Sequence, residues 1–321
     1  MPSWTTGERH FDRVLGTELH WLESGAGRPL VLLHGLADCH RTWRRLAAEL
    51  APGRRVLMLD LAGHGLSERP DASYTLDWHA ALVGAWIDRL GLEEFDLVGH
   101  SYGGGVAQWL VLSHAARIRR LGLVAPGGLG RSVGLSVRLS TLGLVERLGQ
   151  PFMGVGTRLG MRAAGMSDPS DIANASWMNS APGSARALRR TAAGVVDWSG
   201  QRVGMLDHVD RVATLPPIAL FWGDRDPVIP FRQAEDMRAR LTGIPLVRFG
   251  GVGHFPHHER PRELGRALGD FLDEACLERP TIVRPLMVSG GLRRPSAVRR
   301  FFGAIGASVR RWFTASERLA A

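Results

Sequence analysis

The chain has 321 residues, 45% of them hydrophobic, enough for one large core, and a formal net charge of +9. All forty basic residues are arginine, which excludes a lysine Schiff base, a phosphate-loop lysine and a serine–lysine dyad. Residues 277–321 hold nine arginines against two glutamates, leaving +2 on the other 276 residues, so the basic excess belongs to a tail and is not a nucleic-acid footprint.

In chain order, strand-like runs fall at 19–23 and 30–34, a helical run at 42–50, and a strand at 56–60. A helix at 75–90, a strand at 96–99, a helix at 106–113 and a strand at 120–124 follow. Strands at 218–222 and 245–249 and helices at 231–241 and 262–274 complete an alternation that builds a mostly parallel sheet covered on both faces. Between 127 and 211 that alternation stops, and helices rich in Leu, Met and Gly take over, including 135–148 and 185–195.

The chemistry is concentrated in three short motifs. Ser101 lies in Gly99-His100-Ser101-Tyr102-Gly103, between a buried strand and a helix, where two glycines permit the sharp reversal that lifts a serine hydroxyl clear of a sheet. Asp226 follows in Gly223-Asp224-Arg225-Asp226-Pro227, and His254 in Gly251-Val252-Gly253-His254-Phe255. A serine hydroxyl is a weak nucleophile at neutral pH, so it needs an imidazole to accept its proton and a carboxylate to orient that imidazole. The chain order Ser, Asp, His matches that requirement on one fold.

These motifs, with Leu32-Leu33-His34-Gly35-Leu36 and Asp60-Leu61-Ala62-Gly63-His64-Gly65-Leu66-Ser67, resemble the α/β-hydrolase family over residues 9–275. The resemblance implies an α/β fold with a hydrolase core at 1–126 and 212–276 and a helical lid at 127–211; the basic tail read from the charges, 277–321, follows it. It implies Ser101, Asp226 and His254 as catalytic residues, with the backbone N–H groups of Leu36 and Tyr102 as the oxyanion hole and no cofactor or metal. Asp226 is preferred to Asp224 because it stands at the family's acid position; Asp224 reads as a turn residue bonding its own backbone. The segment Ala125-Pro126-Gly127-Gly128, where some members carry the acid, offers no carboxylate.

His34 and His64 are expected to be structural, and His100 to pack beneath the serine turn. His257 and His258 lie close to His254 on an expected loop, with no further ligands to make a metal site. A serine nucleophile separates the chain from haloalkane dehalogenases and epoxide hydrolases, which use a carboxylate there, and leaves a small apolar carboxylic ester as the expected substrate. Two alternatives stay open. Carbon–carbon bond hydrolases of ring-fission products share this architecture but commonly carry Trp after the histidine, where this chain has Phe255; Arg186 or Arg189 would then hold a substrate carboxylate, or else form a solvated helix face. A non-catalytic ligand-binding member of the fold is the other.

Cys39 and Cys276 read as unpaired thiols, and Asn174-Ala175-Ser176 as a chance match to a glycosylation acceptor. With no charged and apolar leader and no run long enough to span a bilayer, a cytoplasmic location is expected. In the tail, Val298, Phe301, Phe302, Ile305, Val309, Trp312 and Phe313 fall in a stripe of roughly 120° at helical spacing, with Arg299, Arg300, Arg310 and Arg311 outside it. Such a helix suits an anionic membrane surface, or packs on the body or on a second subunit of a homo-oligomer.

Overall fold

The structure, a computed structural model, describes residues 7–202, 204, 207, 208, 212, 214–275 and 277–282. Cys276 and the amphipathic stripe at 298–313 lie outside the described residues. The chain divides into a unit from Met1 to Val283 and a second from Arg284 to Ala321.

The first unit is built on one eight-stranded sheet: β1 (Glu8–Val14), β2 (Thr17–Ser24), β3 (Arg28–Leu33), β4 (Arg54–Leu59), β5 (Phe95–His100), β6 (Ile118–Val124), β7 (Ile218–Gly223) and β8 (Leu246–Phe249). Their order across the sheet is β1-β2-β4-β3-β5-β6-β7-β8. β2 runs antiparallel to β1 and β4, and all pairs from β4 to β8 are parallel. Strand β1 is missing from the sequence reading because its residues, Glu-Arg-His-Phe-Asp-Arg-Val, carry no apolar run.

Buried strands sort their side chains by parity. On β3, Val31 and Leu33 join one core while Leu30 and Leu32 join the other; on β4, Leu57 and Leu59 separate from Val56 and Met58 in the same way. Helices α2 (Leu76–Arg89) and α3 (Ser101–His114) cover the first face through Val83, Trp86, Val106 and Leu110. On the opposite face, α1 (Arg44–Leu50) packs against a late helix, Pro261–Asp273, through Leu46, Leu50, Leu264 and Leu268. Each such side chain sealed from water contributes about 1.5–3 kcal/mol.

The helix expected at 106–113 begins five residues earlier, at Ser101 itself. Its glycines belong to the helix because space demands them: a Cβ on Gly103 would stand 2.3 Å from the Leu33 carbonyl oxygen, and one on Gly104 would stand 2.6 Å from Pro126.

Between β6 and β7 the chain inserts α4 (Leu135–Ser140), α5 (Gly143–Leu148), α6 (Met153–Ala163), α7 (Pro169–Asn179) and α8 (Ser184–Val195). The single helix expected over 135–148 is two, because Leu142 takes an extended conformation between them. Helix α7 starts where Asp168 accepts the N–H groups of Ser170 and Asp171, with Pro169 at its first position. In the Asn174 triplet, Ser176 is buried and its hydroxyl donates to the Gly154 carbonyl.

After β7 come α9 (Arg232–Arg240), α10 (Pro256–Glu259) and α11, the late helix at Pro261–Asp273. The core also runs past its expected end at 276: Thr281–Ile282 pairs with Leu241–Thr242.

Candidate active site

Strand β5 delivers Ser101 to the carboxyl edge of the sheet in a left-handed conformation, φ 51°. That strain is held by close packing, since a Cβ on Gly99 would lie 2.5 Å from the Gly103 carbonyl oxygen. The Ser101 hydroxyl lies 2.9 Å from His254 Nε2, and His254 Nδ1 lies 2.7 Å from Asp226 Oδ2. The other oxygen of Asp226 accepts the N–H groups of Val228 and Ile229, each at 2.8 Å. With a carboxylate on one side, His254 carries its proton on Nδ1 and presents Nε2 as acceptor to the serine. Asp226 and His254 are both buried.

Gly35 approaches Ser101 so closely that a Cβ there would stand 3.1 Å from the serine Cβ. This brings the turn after β3 against Ser101, and both Leu36 and Tyr102 face the space above it. The Tyr102 phenol points away from it, donating to His79 Nδ1 at 2.9 Å, and its burial pushes the phenol pKa up. His79 is pushed down to about 4 by burial and stays neutral.

The remaining histidines form the floor. His100 donates through Nε2 to the His254 carbonyl at 2.9 Å, and burial, with His254 beside it, holds its pKa well below the ordinary value. It lies beneath the serine turn. His34 donates to the Gly35 carbonyl and accepts the Leu61 N–H, tying the turn after β3 to the end of β4. Asp60 takes four contacts: His20 Nδ1 at 2.8 Å, His40 Nδ1 at 2.9 Å, and the N–H groups of His40 and Leu66. Burial by itself raises a carboxyl pKa, but His40 and His20 hold this one well below the usual range.

Three expectations are corrected. Asp224 does not bond its own turn; it takes both Arg248 nitrogens on one oxygen and the Gly251 N–H at 2.7 Å on the other, at the surface. His257 and His258 stand on α10, not on a loop. The Thr42 hydroxyl bridges their Nε2 atoms at 2.9 and 2.7 Å, donating to one and accepting from the other, while His258 Nδ1 reaches Asp171 of the insertion at 3.1 Å. Arg186 and Arg189 are neither a solvated face nor a carboxylate clamp: Arg186 donates to the Arg69 carbonyl, and Arg189 is held by Glu146 and the Thr141 carbonyl.

Two cavities meet at Ser101. The larger, about 500 Å³, runs under α4, α5 and α6 and is lined by Val137, Val145, Met153, Met161, Val228 and Phe255 among others. A smaller one of about 60 Å³ extends toward Gln108 and Gln201, whose amides are engaged by backbone groups of the Gly127–Ser132 stretch. No arginine, aspartate or glutamate lines either cavity among the described residues. Gln108, two helical turns after Ser101, had a signal in its spacing; Gln201, 100 residues away, had none.

A family model described as the alpha/beta hydrolase fold matches residues 28–143. An uncharacterized protein of Mycobacterium tuberculosis is 32% identical over 295 residues, covering 88% of this chain and 86% of that one. The 2-hydroxymuconate semialdehyde hydrolase of Pseudomonas sp. (strain CF600) is 32% identical over 269 residues, 81% of this chain and 91% of the relative. Among solved structures, a bacterial membrane phospholipase A superposes with a TM-score of 0.70 at 24% identity, covering 84% and 87% of the two chains, and shares the fold. The chain belongs to the α/β-hydrolase fold family, and it is a hydrolase.

Proposed function

We propose that this hydrolase cleaves an uncharged, apolar carboxylic ester through an acyl-enzyme on Ser101. The carrying observation is the continuous hydrogen-bond chain from Ser101 through His254 to Asp226, opening into a cavity where His254 is the only titratable lining group among the described residues. As the Ser101 oxygen attacks the ester carbonyl, its proton passes to His254 Nε2; the imidazolium is stabilised by Asp226, whose second oxygen is already occupied by backbone N–H groups. The same proton then goes to the departing alkoxide, and a water activated by His254 releases the acid. The N–H groups of Leu36 and Tyr102 would receive the tetrahedral oxyanion, each worth about 3 kcal/mol in rate. Helices α4–α8 act as a lid that shapes the acyl site.

A second reading, hydrolysis of a carbon–carbon bond in a ring-fission product, draws on the relative named 2-hydroxymuconate semialdehyde hydrolase. Such a product carries a carboxylate, and among the described residues no arginine lines either cavity, which favours the ester. The deciding experiment compares the purified protein with Ser101→Ala on p-nitrophenyl esters of rising chain length and on a ring-fission dienoate. Ester turnover lost in the variant supports the proposal; turnover of the dienoate alone replaces it with the second reading; inactivity on both leaves a ligand-binding role.

A further inference from the structure

Helices α4 and α5 bury none of their residues, and with α6 they turn large apolar side chains outward. Leu144 and Leu148 on α5, and Val155 and Leu159 on α6, are each spaced one turn apart and are 60–63% exposed. Leu139 on α4 and Phe152 just before α6 are exposed and also line the cavity that reaches Ser101, so the apolar surface is continuous with that cavity. An exposed set of this size marks an interaction surface.

The charges on these helices are mostly positive. Residues 127–167 contain five arginines and a single acid, Glu146, which is held by Arg189 and Arg190. Arg147, Arg158 and Arg162 are exposed and form no ion pair among the described residues.

We propose that this face docks on an anionic phospholipid surface, with the leucines and valine in the acyl boundary and Arg147, Arg158 and Arg162 among the headgroups. A second copy meeting it by two-fold symmetry would set the same arginines against one another, and segment 298–313 carries charge of the same sign. An anionic lipid surface satisfies both layers, apolar within and negative above. On the reading that Ser101 is the nucleophile, an apolar ester then passes from lipid to the cavity without crossing water.

The test uses the full chain carrying Ser101→Ala, so that binding is measured without hydrolysis and its failure leaves the proposed reaction standing. Vesicles of equal parts phosphatidylglycerol and phosphatidylcholine are expected to pellet the protein, and pure phosphatidylcholine vesicles to pellet far less. Leu144→Glu with Leu159→Glu, neither of which lines the cavity, is expected to weaken pelleting on the order of tenfold or more. Arg147→Ala with Arg158→Ala and Arg162→Ala is expected to weaken it for the anionic vesicles only, with the near-ultraviolet circular dichroism of both variants unchanged. The proposal is overturned if both variants pellet like the parent, as binding through the tail alone would give. It is equally overturned if the parent fails to pellet and instead sediments as a dimer that Leu144→Glu dissociates.

Discussion

Asp226 holds His254 with one carboxylate oxygen at 2.7 Å and holds the Val228 and Ile229 N–H groups with the other. The carboxylate is thus fixed before any substrate arrives, and the imidazole it orients is fixed with it. Asp226→Asn keeps the shape but can donate to His254 Nδ1, favouring the tautomer that leaves Nε2 protonated against Ser101. A fall in kcat of about 10⁴-fold is expected with thermal unfolding little changed; a variant with near-normal turnover sinks the assignment of the acid.

The strained turn makes a second expectation. In Gly103→Ala the new methyl would lie 2.3 Å from the Leu33 carbonyl and 2.4 Å from that of His34, both backbone atoms at the centre of the sheet. Overpacking of this kind costs about 3 kcal/mol, to be read as a lower urea midpoint, with activity reduced even where the variant remains folded. Stability equal to the parent's would show that the elbow has slack the geometry does not reveal.

Buried neutral histidines set the acid sensitivity. His79 is pushed down to about 4, and His64, His100 and His257 are moved in the same direction, chiefly by burial. An unfolded histidine takes its proton near pH 6.5, so between about 6.5 and 4 the unfolded chain binds more protons, and stability falls as pH falls through that window. Unfolding in urea at pH 7 and pH 5 should differ by a few kcal/mol or more. His79→Gln should shrink the difference; an unchanged pH dependence would remove His79 from the account.

On the ester reading, the roof of the larger cavity would set chain-length preference. Gly156 and Gly160 line it, and a Cβ added at either meets no atom within 4 Å. Gly160→Leu should fill that space, lowering kcat/KM for long acyl esters about 10- to 100-fold while short esters are spared. The same change removes a glycine from the helix interior and is expected to stabilise by roughly 1 kcal/mol. Uniform loss across the ester series would place the acyl chain elsewhere.

The insertion is anchored through Asp171, whose Oδ2 accepts Arg44 at 2.9 Å and His258 at 3.1 Å in a buried setting. Asp171→Ala takes the acceptor from buried His258 Nδ1 while Arg44 keeps Asp168 and Ser170, and should cost about 1–3 kcal/mol. Calorimetry would reveal it, and a loss below 1 kcal/mol would mean that the insertion holds without this contact.

Much of this is legible in the sequence. The serine turn, the acid and the histidine are each local patterns, and β3 to β8 were found because buried parallel strands are short apolar runs between turns. What escaped was long-range or featureless. Strand β1 has only Phe11 and Val14 as apolar residues, three positions apart, and its cue is the hairpin partner Thr17–Ser24. The convergence of His20 and His40 on Asp60 joins residues 40 and 20 positions apart. Arg186 and Arg189 fit a helix face equally well whether they meet solvent, substrate or, as found, a carbonyl and Glu146. The two helices in place of one at 135–148 hinge on the backbone of Leu142, a residue whose type gives no warning of a break.

Because α4 and α5 bury no residue fully and meet the main core only through Val137, the sheet constrains little of their sequence, while α7 is bolted to Arg44 and His258. The roof is therefore a replaceable part on a fixed frame. Segment 135–148 is where a lineage can trade one diet for another by drift alone, and where a library of grafted loops can be screened at little risk to folding.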